Sequence, residues 1–420
     1  MGWTILCDCY DMDVKSSVAV PSPQTKSNDL KIGNPSSISQ PVPMLDLKRQ
    51  YQPLHQELLA AVGHVLETQQ FILGEPVTEF EQGARRQLGV GHALGCSSGT
   101  DALWLALAAV GIGPGQAVLT TSFSFFASVS SILRVGAVPV LADIDPGTFN
   151  LDPDAVETVL DSPSGAAVRA LLPVHLYGQT ADFTAMTRIG KTFGLSLIED
   201  AAQAWGAEWN GTKAGGLGDA AAFSFYPTKN LSAAGDAGMV TTNSDEVAER
   251  ARMLRQHGMR RRYYHDEVGW NTRMDGFQGA ILNIKLKYID GWNEARRAVA
   301  GKYHALFAAA GLAEPGPYPK KGIVLPLEVA GSKHVWHQYV VRTAHRDALR
   351  AFLTARKIGS EIYYPVPLHM QEALKFLGYT EGNFPEAERA AREVLALPIF
   401  PELREDEQKT VVDAIAEFLI

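Results

Sequence analysis

Two short apolar runs in the middle of the chain lead into polar side chains that could share one pocket. The first run ends just before Asp200, and Gln203 follows three residues later. The second run contains Ser224, and a Tyr-Pro turn leads from it to Lys229. Each run has the length and character of a buried strand. Because ligands of open α/β sheets gather at the carboxyl ends of strands, the sequence predicts that all four side chains face one pocket.

These residue types together match one kind of cofactor chemistry. A lysine in a pocket can form a Schiff base with an aldehyde cofactor if the lysine spends time deprotonated. A carboxylate beside a pyridine nitrogen keeps that ring protonated and therefore electron-withdrawing. We predict a pyridoxal 5'-phosphate site with Lys229 on the aldehyde and Asp200 on the ring nitrogen. Ser224 would bind the phosphate and Gln203 the ring hydroxyl. Ordinary strand ends beside a solvated lysine are the alternative.

A turn of small residues offers a further contact to a phosphate. Residues 93–103 read as a strand, a turn made of Ser, Ser and Gly, and the start of a helix. Free backbone amides at a helix N-terminus bind phosphate, and small residues let the phosphate approach them. Gly99 and Thr100 are the candidates. A helix that is simply capped is an equally valid interpretation of these residues alone.

The two central motifs resemble those of a known enzyme family. Glu-Asp-Ala-Ala-Gln at 199–203 and Ser-Phe-Tyr-Pro-Thr-Lys-Asn-Leu at 224–231 are similar to motifs of the DegT-type (DegT/DnrJ/StrS) sugar-nucleotide aminotransferases, which are fold-type-I pyridoxal phosphate enzymes. The similarity extends from about Pro43 to about Leu403. It implies an α/β fold with a mostly parallel sheet in a large domain and a smaller α+β domain at the C-terminus.

The resemblance also implies roles for residues outside these motifs. The family places an aromatic side chain on the cofactor ring where this chain has Phe125. In the family's Asn-x-Arg segment, matched here by Asn271 and Arg273, the Asn reaches the cofactor phosphate of the other subunit. The segment matched by residues 71–77 runs along the dimer interface. The resemblance therefore implies a homodimer with shared active sites. The family more often has Asn at the position of Ser98.

The same resemblance implies an activity. The enzyme would move an amino group from an amino acid, with glutamate as the expected donor, to a keto group of a nucleotide-linked sugar. Such reactions serve the biosynthesis of amino sugars and polysaccharides. The run Pro-x-Pro-Leu-His-x-Gln at 365–371 is most similar to members that aminate C3. Lys229 would first hold the cofactor and then, as a free amine, carry the Cα proton.

Two other classes of protein stay open. A dehydratase of the same fold would carry His in place of the Schiff-base lysine, so Lys229 counts against that class. A regulatory or sensor protein could keep the scaffold without the chemistry. The intact set of four residues argues against such decay, and one assay decides it; the set is Asp200, Gln203, Ser224 and Lys229. His175 stands near another strand end, but an isolated histidine is more often buried support, so we leave it outside the catalytic set.

Composition narrows the class of protein. The chain has 420 residues, 46% apolar and 20% charged, as is typical of a soluble globular protein with more than one domain. A net charge of −8 argues against nucleic-acid binding. Three cysteines cannot form a disulfide framework or a convincing metal site, so we expect a cytoplasmic protein without a metal. No apolar run is long enough to cross a membrane.

Alternating strands and helices must position these residues. Apolar spacing predicts a helical stretch over 277–310, and an apolar run predicts a strand over 334–342. Residues 1–40 are largely Ser, Pro, Asn and Lys without periodicity, and we predict a disordered extension. We assign residues 41–290 to the large cofactor-binding domain and residues 291–420 to the small C-terminal domain.

Overall fold

A computed structural model describes residues 41–419 of the chain. The extension predicted over residues 1–40 lies outside this part. The described residues belong to one contact unit, which contains a large central sheet and a smaller sheet nearer the C-terminus.

The strands are mostly short. They are His92–Cys96 (β1), Ala117–Thr121 (β2), Val138–Ala142 (β3), Val168–Leu172 (β4), Ser196–Asp200 (β5), Glu208–Trp209 (β6), Thr212–Lys213 (β7), Ala220–Ser224 (β8), Gly238–Thr242 (β9), Met259–Arg261 (β10), Tyr264–His265 (β11), Ala313–Glu314 (β12), Ile323–Val324 (β13), Ser332–Lys333 (β14), Tyr339–Arg342 (β15) and Val394–Leu397 (β16).

Helices separate most of the longer strands. They are Leu47–Tyr51 (α1), His55–Thr68 (α2), Glu75–Leu88 (α3), Gly99–Val110 (α4), Ala127–Arg134 (α5), Pro153–Leu160 (α6), Phe183–Phe193 (α7), Asp245–Leu254 (α8), Gly276–Leu286 (α9), Ile289–Ala309 (α10), Arg346–Ala355 (α11), Pro385–Glu393 (α12) and Glu405–Leu419 (α13). Short 3₁₀ turns cover Gln52–Leu54, Pro163–Ala167, Leu176–Gly178, Leu368–Met370 and Glu372–Leu377. Within residues 41–419, no helix is both long and apolar enough to span a bilayer.

The central sheet has seven strands in the order β1-β9-β8-β5-β4-β2-β3. Strand β9 is antiparallel to both of its neighbours, and the other six strands run in one direction. Every residue of β2 is buried, as expected for a parallel strand covered on both faces. The carboxyl ends of β2, β4, β5 and β8 therefore lie side by side at one edge of the sheet.

The smaller sheet has the order β12-β13-β15-β16. Its strands share a core with α10, α11 and α13, in which Tyr303, Phe307, Tyr339, Leu353 and Phe400 are buried. The sheet and these helices form the smaller α+β part of the fold. The predicted fold class is confirmed: a mostly parallel sheet in an α/β arrangement with a smaller C-terminal sheet.

Two elements differ from the sequence-based predictions. The stretch predicted as helical over 277–310 is two helices, α9 and α10, with a break at Lys287–Tyr288. The strand predicted over 334–342 is reduced to β15. Trp336 has φ +46°, a left-handed conformation that a strand cannot accommodate, so regular pairing begins only at Tyr339. The domain boundary at residue 290 stays a prediction; α10 begins one residue earlier.

Candidate active site

Asp200 ends strand β5, and its side chain is buried. Pairing between β5 and β8 sets Asp200 opposite Ala222. The hydroxyl of Ser128 donates a hydrogen bond of 2.7 Å to Oδ2, and the amide of Ala202 donates one of 3.2 Å to Oδ1. Burial raises the pKa of Asp200, while these two hydrogen bonds and the charge on Lys229 oppose the rise. A nearby cation would therefore favour the ionised carboxylate strongly.

Lys229 lies on the loop that leaves β8 at the same edge of the sheet. Its backbone amide donates a hydrogen bond of 2.8 Å to the carbonyl of Tyr226, which closes the Tyr-Pro turn. The side chain is half-buried. Desolvation lowers the pKa of Lys229 to about 8, although the charge on Asp200 acts in the other direction. Roughly a tenth of the amine is then unprotonated at pH 7, which makes it available as a nucleophile.

The side chain of Gln203 is oriented by the backbone. The amide of Tyr177 donates a hydrogen bond of 2.6 Å to Oε1 of Gln203, and Nε2 lies 3.3 Å from the hydroxyl of Tyr364. Since a backbone amide can only donate, Oε1 is the acceptor and Nε2 is the donor. Gln203 therefore presents a hydrogen-bond donor on the side where Tyr364 lies, as a contact to a ligand hydroxyl requires.

Phe125 is the exposed member of three phenylalanines in the turn after β2. Phe123 is fully buried and Phe126 packs on the core, whereas 59% of Phe125 is exposed. The ring centroid of Phe125 lies 6.2 Å from that of Tyr364, which also touches Gln203. An aromatic face left open beside polar groups is suited to stacking on a flat ring. Its role against a cofactor stays a prediction.

The N-terminus of α4 packs closely against the ends of β8 and β9. A Cβ atom on Gly99 would lie 2.5 Å from Cβ of Ser224, which is closer than carbon atoms approach. A Cβ atom on Gly238 would overlap the carbonyl of Ser98. Glycine is thus required at both positions for this approach. The structure brings Gly99 beside Ser224, as a shared phosphate site would need.

Ser98 is the N-cap of α4. Its Oγ accepts a hydrogen bond of 3.1 Å from the amide of Asp101, which satisfies one of the free amides of the first turn. The first backbone hydrogen bond of α4 runs from the amide of Ala102 to the carbonyl of Ser98. The amides of Gly99 and Thr100 therefore have no acceptor within the helix and can bind an anion. Ser98, at the position where the resembling family more often has Asn, therefore keeps the helix N-terminus capped.

Asn271 lies on a segment that pairs with the chain just before α4: the carbonyl of Thr272 accepts a hydrogen bond of 3.1 Å from the amide of Ser97. Asn271 is exposed, it follows the β10–β11 hairpin, and its backbone pairs with Gln256. Among the described residues, no hydrogen bond connects it to Asp200 or Lys229. The other predicted residues lie at the ends of β5 and β8, in the turn after β2 and at the start of α4. The role of Asn271 in a partner's site stays a prediction.

His175 is buried and serves the scaffold. The amide of Ala181 donates a hydrogen bond of 3.2 Å to its Nδ1, so Nε2 carries the proton and donates a 3.0 Å hydrogen bond to Glu199. Glu199 accepts three further hydrogen bonds from the backbone of residues 215–218. This network fastens β5 to the loop before β8, in agreement with leaving His175 outside the catalytic set.

The sequence-based prediction missed three residues of the site. Ser128 and Tyr364 contact Asp200 and Gln203 as described. Nδ1 of His337 lies 3.0 Å from Oδ1 of Asn230, and burial and the charge on Lys229 lower the pKa of His337 well below its usual value. Tyr364 adjoins the Pro-x-Pro-Leu-His run and could have been found from it. The other two contacts join residues that are far apart in the sequence, so they carry no local signal.

Pyridoxal 5'-phosphate fits the residues that this edge of the sheet assembles. Asp200 is a buried carboxyl that would gain a cationic partner in a protonated ring nitrogen. The direct packing of Gly99 on Ser224 sets the free amides at the start of α4 beside the Ser224 hydroxyl, as a phosphate contact would require. Lys229 offers an amine with a lowered pKa, and Phe125 offers an open ring face.

Comparison with known proteins gives a consistent result. The sequence model of the DegT/DnrJ/EryC1/StrS aminotransferase family matches residues 52–416. The "Pleiotropic regulatory protein" of Geobacillus stearothermophilus is 48% identical over 90% of this chain and 98% of its own length. The dTDP-3-amino-3,4,6-trideoxy-alpha-D-glucose transaminase of Streptomyces venezuelae is 42% identical over 90% of this chain and 96% of its own length.

A solved structure agrees with these sequence relatives. The crystal structure of DesV from S. venezuelae in complex with a ketimine intermediate superposes with a TM-score of 0.85 and 42% identity. The match covers 91% of this chain and 99% of DesV. The fold and its connectivity are therefore shared along nearly the whole of both chains.

Proposed function

This chain belongs to the DegT/DnrJ/EryC1/StrS aminotransferase family, and from that premise we propose that it aminates a keto group of a nucleotide-linked sugar. The amino group comes from an amino acid, with glutamate as the expected donor, and the cofactor is pyridoxal 5'-phosphate. The observation that carries the proposal is the placement of Asp200 and Lys229 at neighbouring strand ends. Their pKa values are shifted in the directions that favour a neutral amine beside a buried carboxyl.

Each proposed role follows from what the chain's own side chains can do. Lys229 holds the cofactor through its unprotonated amine and, once released, accepts and returns the Cα proton. When bound, the cofactor supplies an electron sink for the carbon that loses its proton. Asp200 holds the ring nitrogen protonated, and Gln203 donates to the ring hydroxyl. Phe125 packs on the ring face.

The phosphate end would be held by a hydroxyl and backbone amides. Ser224 offers its hydroxyl, and Gly99 and Thr100 offer backbone amides at the start of α4. The first turn of a helix carries partial positive charge, which favours a bound anion. The close packing of Gly99 on Ser224 supports this arrangement, because it puts hydroxyl and amides on one small surface.

Amination at C3 is the finer part of the proposal. The Pro-x-Pro-Leu-His-x-Gln run at 365–371 lies next to Tyr364, which contacts Gln203 and Phe125. The transaminase from S. venezuelae carries a 3-amino sugar in its name. We place the reaction in the cytoplasm because the chain has few cysteines.

We also propose a homodimer with shared sites. Helix α2 exposes Leu59 and Leu66 seven residues apart on one face, and Phe71 and Ile72 are exposed after its end. An exposed apolar patch of this kind marks a contact surface. Asn271, which forms no hydrogen bond with Asp200 or Lys229 among the described residues of its own chain, would serve the phosphate in the partner's site.

Two alternatives remain distinguishable by experiment. A dehydratase of this fold is disfavoured by Lys229, which stands where such enzymes would have His. A regulatory role is raised by the name of the Geobacillus relative. The buried hydrogen bond between Ser128 and Asp200 disfavours a purely regulatory role. Burying a carboxyl costs free energy, and a protein without catalytic function gains nothing from it.

An assay with a panel of substrates tests the proposal. The purified protein, loaded with pyridoxal phosphate, is incubated with glutamate and dTDP- or UDP-linked 3-keto and 4-keto sugars. Mass spectrometry should detect an aminated 3-keto sugar, and the Lys229→Ala protein should form none. Loss of water in place of amination would support the dehydratase. No product from any sugar, in spite of bound cofactor, would contradict the proposed function.

A further inference from the structure

Asp200 contacts one serine directly and a second serine through the first. Ser128 lies on α5, 72 residues before Asp200 in the sequence, and its hydroxyl donates a hydrogen bond of 2.7 Å to Oδ2. Oγ of Ser124 lies 2.9 Å from Oγ of Ser128. All three side chains are almost fully buried, with at most 4% of any of them exposed. Buried hydroxyls in contact with a carboxylate are well screened from competition by water.

The number of protons fixes the direction of both hydrogen bonds. A serine hydroxyl has one proton to donate. An ionised carboxylate can only accept, so the proton of Ser128 is committed to Asp200. The contact between the serines therefore requires Ser124 to donate to Ser128. Two aligned hydroxyl dipoles then point their positive ends toward Oδ2, and each hydrogen bond strengthens the other.

The two serines belong to the turn that also carries Phe125. The backbone amide of Ser128 donates a hydrogen bond of 3.2 Å to the carbonyl of Phe125, which fixes the first turn of α5. Ser124 precedes Phe125 directly. One short segment thus positions both the exposed ring of Phe125 and the hydroxyl that contacts Asp200.

We propose that Ser128, supported by Ser124, is a positioning residue that keeps the Asp200 carboxylate ionised and directed at the ring nitrogen of the cofactor. The inference rests on the function proposed above. A hydrogen bond to the charged form of an acid favours that form. Without it, Oδ2 is buried with no donor, and the proton that Asp200 shares with the ring nitrogen moves toward the carboxyl. The cofactor then withdraws electrons less well.

Nuclear magnetic resonance of the ring nitrogen measures this directly. The protein is loaded with pyridoxal phosphate labelled with ¹⁵N in the ring. In Ser128→Ala the ring signal should move from that of a pyridinium toward that of a neutral pyridine. The half-reaction with glutamate should slow by roughly 10- to 100-fold, as expected for the loss of one hydrogen bond to a charged group. Ser128→Thr keeps a hydroxyl and should restore both the signal and the rate.

Ser131 provides a matched control. It is fully buried on the same helix, and its hydroxyl donates to the carbonyl of Ala127, within α5 itself. Ser131→Ala should change neither the ring signal nor the rate. An active wild-type enzyme whose Ser128→Ala variant keeps the pyridinium signal would overturn the inference, as would equal changes in both alanine variants. A wild-type protein that binds no pyridoxal phosphate would instead overturn the proposed function.

Discussion

Asp200 and Lys229 have pKa values displaced in opposite directions by the same cause, burial. Burial therefore favours the neutral form of each side chain. The negative charge of Asp200 and the positive charge of Lys229 stabilise each other and oppose this effect. A protonated ring nitrogen beside Asp200 would replace Lys229 as the cation that the carboxylate faces. Lys229 is then free to remain neutral while it acts as a base. The two shifts together suit a site in which Asp200 keeps the ring nitrogen protonated and Lys229 transfers the Cα proton.

The lowered pKa of Lys229 predicts how the cofactor is captured at different pH values. The neutral amine is the nucleophile, and its pKa falls from 10.5 to about 8. The rate of capture by the cofactor-free protein should therefore rise with pH and level off above about pH 8. Stopped-flow absorbance of added pyridoxal phosphate measures this rate.

Asp200→Asn tests the cause of that pH dependence. The carboxylate raises the pKa of Lys229, so its removal should move the plateau to a lower pH. A wild-type rate that is still increasing at pH 10 would show that burial does not lower the pKa. A plateau that moves upward in Asp200→Asn would show that the carboxylate does not act on Lys229.

Residue types were enough to predict four side chains that the structure places at one edge of the sheet; their roles stay predictions. Lys229, Asp200, Gln203 and Ser224 follow or end apolar runs, and parallel strands put such ends at one edge. Ser128 could not be found in this way. Helix α5 packs on α4, β2 and β3, and its first turn reaches the end of β5 only through the tertiary fold, which nothing in the local sequence specifies.

The contact between α4 and β8 determines the geometry of the proposed phosphate site. In Gly99→Ala the new methyl group would lie 2.5 Å from Cβ of Ser224, so the helix N-terminus must shift. We predict a loss of about 1–3 kcal/mol in the free energy of unfolding, as is typical of overpacking. Urea denaturation measures this loss. Titration with pyridoxal phosphate should show weaker binding.

Gly301→Ala is the matched control for that substitution. Gly301 lies inside α10, and no atom comes within 4 Å of the position its Cβ would occupy. Alanine there should raise the free energy of unfolding by roughly 0.5–1 kcal/mol and leave cofactor binding unchanged. Equal cofactor binding by Gly99→Ala and Gly301→Ala would show that the N-terminus of α4 does not bind the cofactor phosphate.

Elements were predicted correctly where the local pattern was consistent with the tertiary structure. The central strands were recognisable as short apolar runs. The prediction of a strand over 334–342 was wrong for its first residues because Trp336 has a positive φ. An aromatic residue in the sequence does not indicate such a conformation. The helical stretch over 277–310 has continuous helical spacing, and its break at Lys287–Tyr288 is decided by how α9 and α10 pack on different neighbours.

At the scale of the whole molecule the open question is assembly, because Asn271 forms no hydrogen bond with Asp200 or Lys229 among the described residues of its own chain. Mixing an Asn271→Ala chain with a Lys229→Ala chain tests for shared sites. If sites are shared, a heterodimer has one site with both defects and one with neither, so activity should partly return. If each chain builds its own site, mixing restores nothing. A protein that sediments as a monomer at working concentration would also contradict the shared-site dimer.

Chemical trapping of the cofactor on its lysine tests the central claim most directly. The protein loaded with pyridoxal phosphate is reduced with borohydride and digested, and the modified peptide is identified by mass spectrometry. Lys285 is a demanding internal comparison, because desolvation lowers its pKa to about 8 as well, and its amine donates a 3.0 Å hydrogen bond to Ser232. We predict modification of Lys229 and none of Lys285. Modification of Lys285 or of another lysine in place of Lys229 would contradict the assignment of the active site.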